Sequence, residues 1–138
     1  MAKDIFHDHV KQILINDGWT ITHDPYRIEE KGVKIYEIDL GAERLIAAEK
    51  DKEKIAVEIK SFTNDSAIND FHGALGQYIN YKVGLDTLDS DRILYLAMPL
   101  KAYNHLWNLS LVRKSIETYD IKLIVYALKE EKFELWRK

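Results

Sequence analysis

The stretch Lys54-Ile55-Ala56-Val57-Glu58-Ile59-Lys60-Ser61-Phe62 decides the fold, because apolar and charged side chains alternate along it. Successive side chains of a β-strand point to opposite faces. The aliphatic residues at every second position therefore share one face, and Glu58 and Lys60 share the other. The stretch predicts a strand that holds an acid and an ammonium side by side, either as a surface ion pair or as part of a catalytic site.

The segments around this strand predict a mixed sheet with helices on its faces. The run from Arg92 to Met98 is almost continuously apolar, which is typical of a strand covered on both sides, so we place it centrally. The hydrophobic periodicity predicts helices over 4–17, from near Asn64-Asp65-Ser66 to about Leu85, and within 100–119, and strands over 19–22, 33–40, 43–49, 54–62, 92–98, 122–127 and 132–137. We therefore predict one α/β domain over residues 1–138, with a central mixed β-sheet flanked by helices.

The second predicted helix has a buried stripe and two glycines. The stripe is formed by Ile68, Phe71, Leu75 and Ile79, which recur at helical spacing. Gly73 and Gly76 lower the intrinsic stability of a helix. We expect this loss of helix stability to be compensated by close approach of the two glycines to a neighbouring sheet.

Composition narrows the chemistry. The chain has 138 residues, a net charge of -3 and no cysteine, which excludes disulfides, thiolate catalysis and sulfur-ligated metals. Hard divalent cations with oxygen ligands remain. The sequence contains no run of about 18 apolar residues and no secretory signal pattern, so we expect a cytoplasmic protein without a membrane segment. The acidic balance argues against coating nucleic acid by bulk electrostatics.

Three residues could supply metal-assisted phosphodiester hydrolysis, which needs carboxylates for a divalent cation and a cation near the attacking water. Glu58 and Lys60 lie on the strand described above, and Asp39 precedes Glu58 with 18 residues between them. The first acid is ambiguous. A simple hairpin folded about Asp51-Lys52 sets Glu43 opposite Lys60, so Asp39 needs a bend at Gly41 to reach the site. We favour Asp39, with Glu43 as the second choice.

Helical residues add further candidates. Gln77 and Tyr81 stand four apart, so both lie on one face of the second predicted helix, as a polar rim or as part of a cleft. His9 lies at the edge of the apolar stripe of the first helix and is a weaker candidate.

The pattern of Asp39, Glu58-x-Lys60 and Gln77-x-x-x-Tyr81 resembles the RecB-like branch of the PD-(D/E)XK nuclease superfamily. Ile38 stands where that superfamily often has proline. The resemblance implies a restriction-endonuclease-like core in which Asp39, Glu58 and the carbonyl of Ile59 hold Mg²⁺ or Mn²⁺. It also implies that Lys60 orients or deprotonates water and that Gln77 positions Lys60 or the phosphate.

A closer resemblance covers nearly the whole chain. It is to the XisH family, and it is carried by Asp17-Gly18-Trp19, Asp39-Leu40-Gly41-Ala42-Glu43, Ala56-Val57-Glu58-Ile59-Lys60-Ser61-Phe62, Gly76-Gln77-Tyr78 and Leu94-Tyr95-Leu96-Ala97. That family is named for the fdxN element excision controlling factor of heterocyst-forming cyanobacteria. The resemblance implies an accessory role in programmed, site-specific DNA excision, beside a recombinase and a small partner, XisI.

Two functions stay open at this point. The first is a Mg²⁺-dependent DNA endonuclease. The second is a catalytically silent nuclease-fold accessory protein that binds DNA or a recombination partner. Because cutting both strands of a duplex commonly uses two copies related by a twofold axis, we expect a homodimer for the first.

Overall fold

The computed structural model describes residues 2–45, 52–63 and 66–137, which form four helices and eight strands. The helices are α1 (Ala2–Asn16), α2 (Ala67–Leu88), α3 (Leu100–Trp107) and α4 (Ser110–Thr118). The strands are β1 (Thr20–His23), β2 (Tyr26–Glu30), β3 (Val33–Ile38), β4 (Leu40–Leu45), β5 (Lys52–Ile59), β6 (Arg92–Pro99), β7 (Leu123–Tyr126) and β8 (Leu135–Arg137). Among the described helices, none is long and apolar enough to cross a membrane.

Six strands form one mixed sheet in the order β1-β4-β5-β6-β7-β8, and β2 and β3 form a separate hairpin. The central pairs β5–β6 and β6–β7 are parallel, and the outer pairs are antiparallel. The predicted α/β class, mixed sheet and central position of the 92–98 strand are thereby confirmed.

Helices cover both faces of the sheet, and the alternation along β5 divides its side chains between two cores. Ile55 and Val57 pack with α1 residues such as Leu14, whereas Ala56 packs with α2, α3, α4 and the hairpin. The period-two assignment of β5 is therefore confirmed. Glu58 follows Ala56 on the α2 side, where the core ends and a polar group can reach solvent.

Helix α2 begins as predicted and buries most of the predicted stripe together with residues that were not predicted. Ser66 is its N-cap, and the Ser66 hydroxyl accepts the Asn69 N–H at 3.2 Å, while the other two predicted capping residues lie outside the described residues. In the predicted stripe Phe71 is buried, and Ile68 and Leu75 pack partly buried against the core. Ile79 is 38% exposed, so the prediction is wrong for this residue. The buried residues are Phe71, Ala74, Tyr78, Tyr81 and Leu85. A tyrosine ring can be buried when its hydroxyl finds a partner, and the Tyr78 hydroxyl donates to the Leu94 carbonyl at 2.9 Å.

The expected close contacts of two α2 glycines are absent, and a third glycine makes one. A Cβ added at Gly73 or Gly76 would have no described neighbour within 4 Å, so the prediction that they approach the sheet is wrong. Gly84 makes the close approach instead, because a Cβ added there would lie 3.1 Å from the Ile28 side chain of β2. The hairpin therefore packs against the C-terminal half of α2.

The β2–β3 hairpin was only half predicted, since β2 was not foreseen. Its turn, Lys31-Gly32, has φ values of 53° and 79°, and Glu30 pairs with Val33. Two consecutive positive φ angles are the geometry of the tight hairpin turns that match strand twist. The hairpin ends at Ile38, and Asp39 joins it to β4.

A buried arginine network lies at the end of β5 away from Glu58. Arg92 is 4% exposed, and its Nε donates to Asp89 Oδ2 at 2.8 Å. The same carboxylate oxygen accepts the Tyr26 hydroxyl at 2.8 Å, and the Arg92 guanidinium lies 4.7 Å from the centre of the Tyr26 ring. This network ties the hairpin to the start of β6.

Candidate active site

The pairing of β4 with β5 places Asp39 beside Glu58. Leu40 pairs with Val57 and Gly41 with Ala56, without a register shift. Asp39 immediately precedes Leu40, so it falls next to Glu58 through regular strand pairing. The predicted bend at Gly41 is wrong, and the proximity that it was meant to explain is present.

Gly41 has another structural role. The irregularity lies in the neighbouring strand β1, between Ile21 and His23. A Cβ at Gly41 would lie 3.0 Å from His23 Nδ1 and 3.1 Å from the Tyr26 ring. Glycine at this position lets these two rings approach the backbone of β4 more closely than most Cβ atoms allow.

Glu43, the second choice for the first acid, lies elsewhere. It pairs with Lys54 in the sheet, so its predicted position opposite Lys60 is wrong. Its carboxylate is 3.2 Å from Lys52 Nζ and 3.5 Å from Arg92 Nη2. Glu43 belongs to the arginine network, and Asp39 is the acid beside Glu58.

Asp39, Glu58 and Lys60 converge at the C-terminal end of β5. The Asp39 N–H donates to Glu58 Oε1 at 3.2 Å, and the Ile59 N–H donates to Asp39 Oδ2 at 2.7 Å. Lys60 Nζ is 3.4 Å from Glu58 Oε2. Each carboxylate thus accepts one backbone N–H, which fixes its orientation and leaves further lone pairs for a ligand.

This environment changes the acidity of Glu58. Burial, followed by the negative charge of Asp39, raises the pKa of Glu58 to about 7. The Lys60 ammonium acts in the opposite direction. Near neutral pH Glu58 therefore exchanges a proton readily, and a cation placed between the two acids would favour its ionised form.

The backbone of Lys60 is held in place although β5 ends at Ile59. The Lys60 N–H donates to the Ala97 carbonyl at 2.9 Å, and the Lys60 carbonyl accepts the Tyr126 hydroxyl at 3.1 Å. Tyr126 is fully buried. This contact could not be predicted from the sequence, because Tyr126 looks like one more core residue of an apolar strand.

Asp39, Glu58 and Lys60 line an open cleft of about 380 Å³, together with residues of α1 and of the loop after β5. The α1 residues include His7, whose Nε2 is 2.8 Å from Asp24 Oδ1. His9, the predicted candidate, lies 2.8 Å from the Ala127 carbonyl and is not among the described lining residues. The α1 histidine at this cleft is thus His7. The apolar stripe of α1 did not indicate which of the two histidines would face the cleft.

Gln77 and Tyr81 lie near the site in different ways. Tyr81 is buried, its ring packs edge-on against Tyr36 at 5.4 Å, and burial followed by the charges of Glu58 and Asp39 raises its pKa to about 12. Gln77 is exposed and lines a second cavity that also includes Lys60. Only Gln77 is therefore accessible to a ligand.

The donor set suits a magnesium-like ion. No group of three or more histidine, aspartate or glutamate side chains that could hold a metal occurs within 2–45, 52–63 and 66–137. Mg²⁺ is nevertheless commonly held by one or two carboxylates, with waters and substrate phosphate completing its shell. Asp39 and Glu58, both oxygen ligands of one cleft, match that pattern.

Comparisons with known proteins agree on one family. The family described as XisH protein matches residues 1–134. The chain is similar to an XisH family protein from Nostoc punctiforme, with 40% identity, a TM-score of 0.84, and coverage of 97% of this chain and 99% of that one. It is equally similar to an fdxN element excision controlling factor protein from Anabaena variabilis, with 40% identity, a TM-score of 0.84, and coverage of 98% and 99%. No curated protein matches the chain.

Proposed function

Because this chain belongs to the XisH family, we propose that it acts in programmed DNA excision as a metal-dependent DNA endonuclease of the PD-(D/E)XK type. The fdxN element excision controlling factor from Anabaena variabilis, with its 40% identity, supports the process. The convergence of Asp39, Glu58 and Lys60 in one open cleft supports the reaction, and it is the observation that carries the proposal.

The residues have separate roles in this proposal. Asp39 and Glu58 would hold Mg²⁺ or Mn²⁺, and the Ile59 carbonyl would be a third oxygen ligand. When bound, such an ion polarises a phosphoryl oxygen and lowers the pKa of water. Lys60 hydrogen-bonds the attacking water or the charge that develops on the phosphate, and Gln77 contacts the DNA backbone beside it. Hydrolysis breaks one P–O bond, with hydroxide added to phosphorus and a proton to the departing oxygen.

Burial of Glu58 couples the ionisation of this carboxyl to the binding of a cation. A carboxyl group whose pKa is about 7 is protonated in about half of the molecules at neutral pH. A divalent ion between Asp39 and Glu58 would remove the repulsion between the two carboxylates. We therefore expect metal binding and ionisation of Glu58 to occur together.

A second function is favoured by a different observation. Both carboxylates accept backbone N–H groups, and these bonds join the connection between β3 and β4 to the end of β5. Such bonds could serve structure alone, in a catalytically silent protein that binds DNA or a recombination partner such as XisI or a site-specific recombinase. In this alternative the acids stabilise the fold and no metal is needed.

The experiment that separates the two is cleavage of supercoiled, nicked and branched DNA in Mg²⁺ and in Mn²⁺. We expect cleavage by the wild type and loss of at least a hundredfold in rate for Glu58→Gln and Lys60→Ala, about the effect of removing one electrostatic group from such a site. Glu30→Gln is the matched control, because Glu30 is an exposed carboxylate on the hairpin. Absence of cleavage by the wild type above the Glu58→Gln level would refute the nuclease and leave the accessory role.

A further inference from the structure

A second cavity of about 270 Å³ adjoins the proposed active site. It shares Lys60, Ser61 and Thr63 with the cleft that contains Asp39 and Glu58. Its other described lining residues come from the same loop and from the first half of α2: Phe62, Asn69, Asp70, Gly73, Ala74 and Gln77. A ligand that extends from the cleft past Lys60 would enter this cavity.

The lining chemistry suits a neutral polar group. Asn69 carries an amide that both donates and accepts hydrogen bonds. The Ser61 and Thr63 hydroxyls lie 3.3 Å apart, and Asp70 adds a carboxylate, which disfavours an anion. Lys60 is the one cation among the described lining residues, and it stands at the boundary with the cleft. A second phosphate would find no counter-charge deeper in the cavity, whereas the edge of a nucleobase would find donors and acceptors.

The cavity has an open border along α2 and one aromatic residue among its described lining residues. A Cβ at Gly73 would meet no described atom within 4 Å, so the surface of α2 is open where it borders the cavity. Phe62 lines the cavity from the loop, and it is half-buried because part of its side chain packs against the hydrophobic core. Aromatic side chains stack on bases of single strands without regard to sequence.

We propose that this cavity receives the base of an unpaired nucleotide adjacent to the scissile phosphate, so that the DNA cut at this site is single-stranded. The inference rests on the proposed function for the identity of the neighbouring phosphate. A base stacked inside a duplex cannot enter such a cavity, and an unpaired base enters without the cost of breaking a pair.

The test fills the cavity from Gly73 and measures DNA binding apart from cleavage. The variant is Gly73→Leu, and Gly76→Leu is the matched control, because Gly76 is equally open on the same helix but is not among the residues lining the cavity. Both changes replace an exposed helical glycine and should raise helix stability. Binding of a fluorescent single-stranded oligonucleotide is followed by anisotropy in Ca²⁺, beside an oligonucleotide with abasic sites throughout.

We expect Gly73→Leu to weaken binding of the normal oligonucleotide about tenfold, a typical worth of one stacked base. Gly76→Leu should bind as the wild type does, and the abasic oligonucleotide should bind Gly73→Leu and the wild type equally. Equal effects of the two leucine variants, equal losses on both oligonucleotides, or no binding by the wild type would each overturn the base site.

Cleavage assays on the same oligonucleotides separate this proposal from the proposed function. The expected binding pattern without any cleavage would support the base site and refute the nuclease. Cleavage by the wild type that Gly73→Leu leaves unchanged, with unchanged binding, would support the nuclease and refute the base site.

Discussion

Replacing Glu58 by glutamine should make the protein more stable at alkaline pH. Glu58 is 7% exposed and lies beside Asp39, so its ionised form is unfavourable in the folded chain. The amide of Glu58→Gln has nearly the same shape, and its oxygen can still accept the Asp39 N–H. The substitution therefore removes a charge with little change in packing.

The size of the effect follows from the pKa of Glu58. It rises from 4.5 to about 7 on folding, which corresponds to about 3 kcal/mol. Between these two pH values the folded chain keeps a proton that the unfolded chain has lost, so the wild type loses stability as pH rises. Below pH 4.5 this contribution is absent, and above pH 7 the full cost is present. Glu58→Gln should be about 2 to 3 kcal/mol more stable than the wild type at pH 8, and equally stable at pH 4.

Equilibrium unfolding in guanidinium chloride without divalent metal, at pH 4 and pH 8, measures this difference. Glu30→Gln is the control, and it should follow the wild type at both pH values because Glu30 is exposed. A free energy of unfolding that is lower for Glu58→Gln than for the wild type at pH 8, or a difference that does not depend on pH, would refute the reasoning.

Three other predictions concern Glu58, Gly41 and Arg92. Binding of Mn²⁺ at pH 7 should release about half a proton from Glu58, since a ligand must be ionised; titration calorimetry in buffers of different ionisation enthalpy checks this, and buffer-independent heat contradicts it. Gly41→Ala should cost about 1–3 kcal/mol of unfolding free energy, because its methyl group would lie 3.0 Å from His23; an unchanged urea midpoint would contradict the clash. Arg92→Met should cost about 3–5 kcal/mol in the same assay by leaving Asp89 under-compensated, and adding Asp89→Asn should recover part of this loss.

The parts of the fold that depend on local pattern could be predicted from the sequence. The alternation through Glu58 and Lys60 identified β5 and its two faces, and the apolar run from Arg92 identified the central strand. The run Asn64-Asp65-Ser66 predicted the start of α2, and Ser66 is its N-cap, because a side chain that caps a helix acts within one turn. These features are decided by neighbours in the sequence.

The parts that depend on distant contacts could not. The register of β4 against β5 was inferred from an assumed tight turn at Asp51-Lys52, whereas Leu45 pairs with Lys52 and residues 46–51 lie outside the described part of the chain. The predicted bend at Gly41 was a consequence of that wrong register. The burial of Tyr78 and Tyr81 on α2 was not predicted, because a tyrosine side chain looks amphipathic until the fold supplies its partners.

The regular pairing of Leu40 with Val57 has a consequence for how relatives are sought. Asp39 and Glu58 are brought together by the pairing of β4 with β5. The number of residues between the two acids depends on the length of the segment that connects these strands. A longer connecting segment would leave this strand pairing, and the proximity of the two acids, unchanged. Homologues with much wider or narrower motif intervals can therefore carry the same pair of acids, and a search that fixes the interval would overlook them.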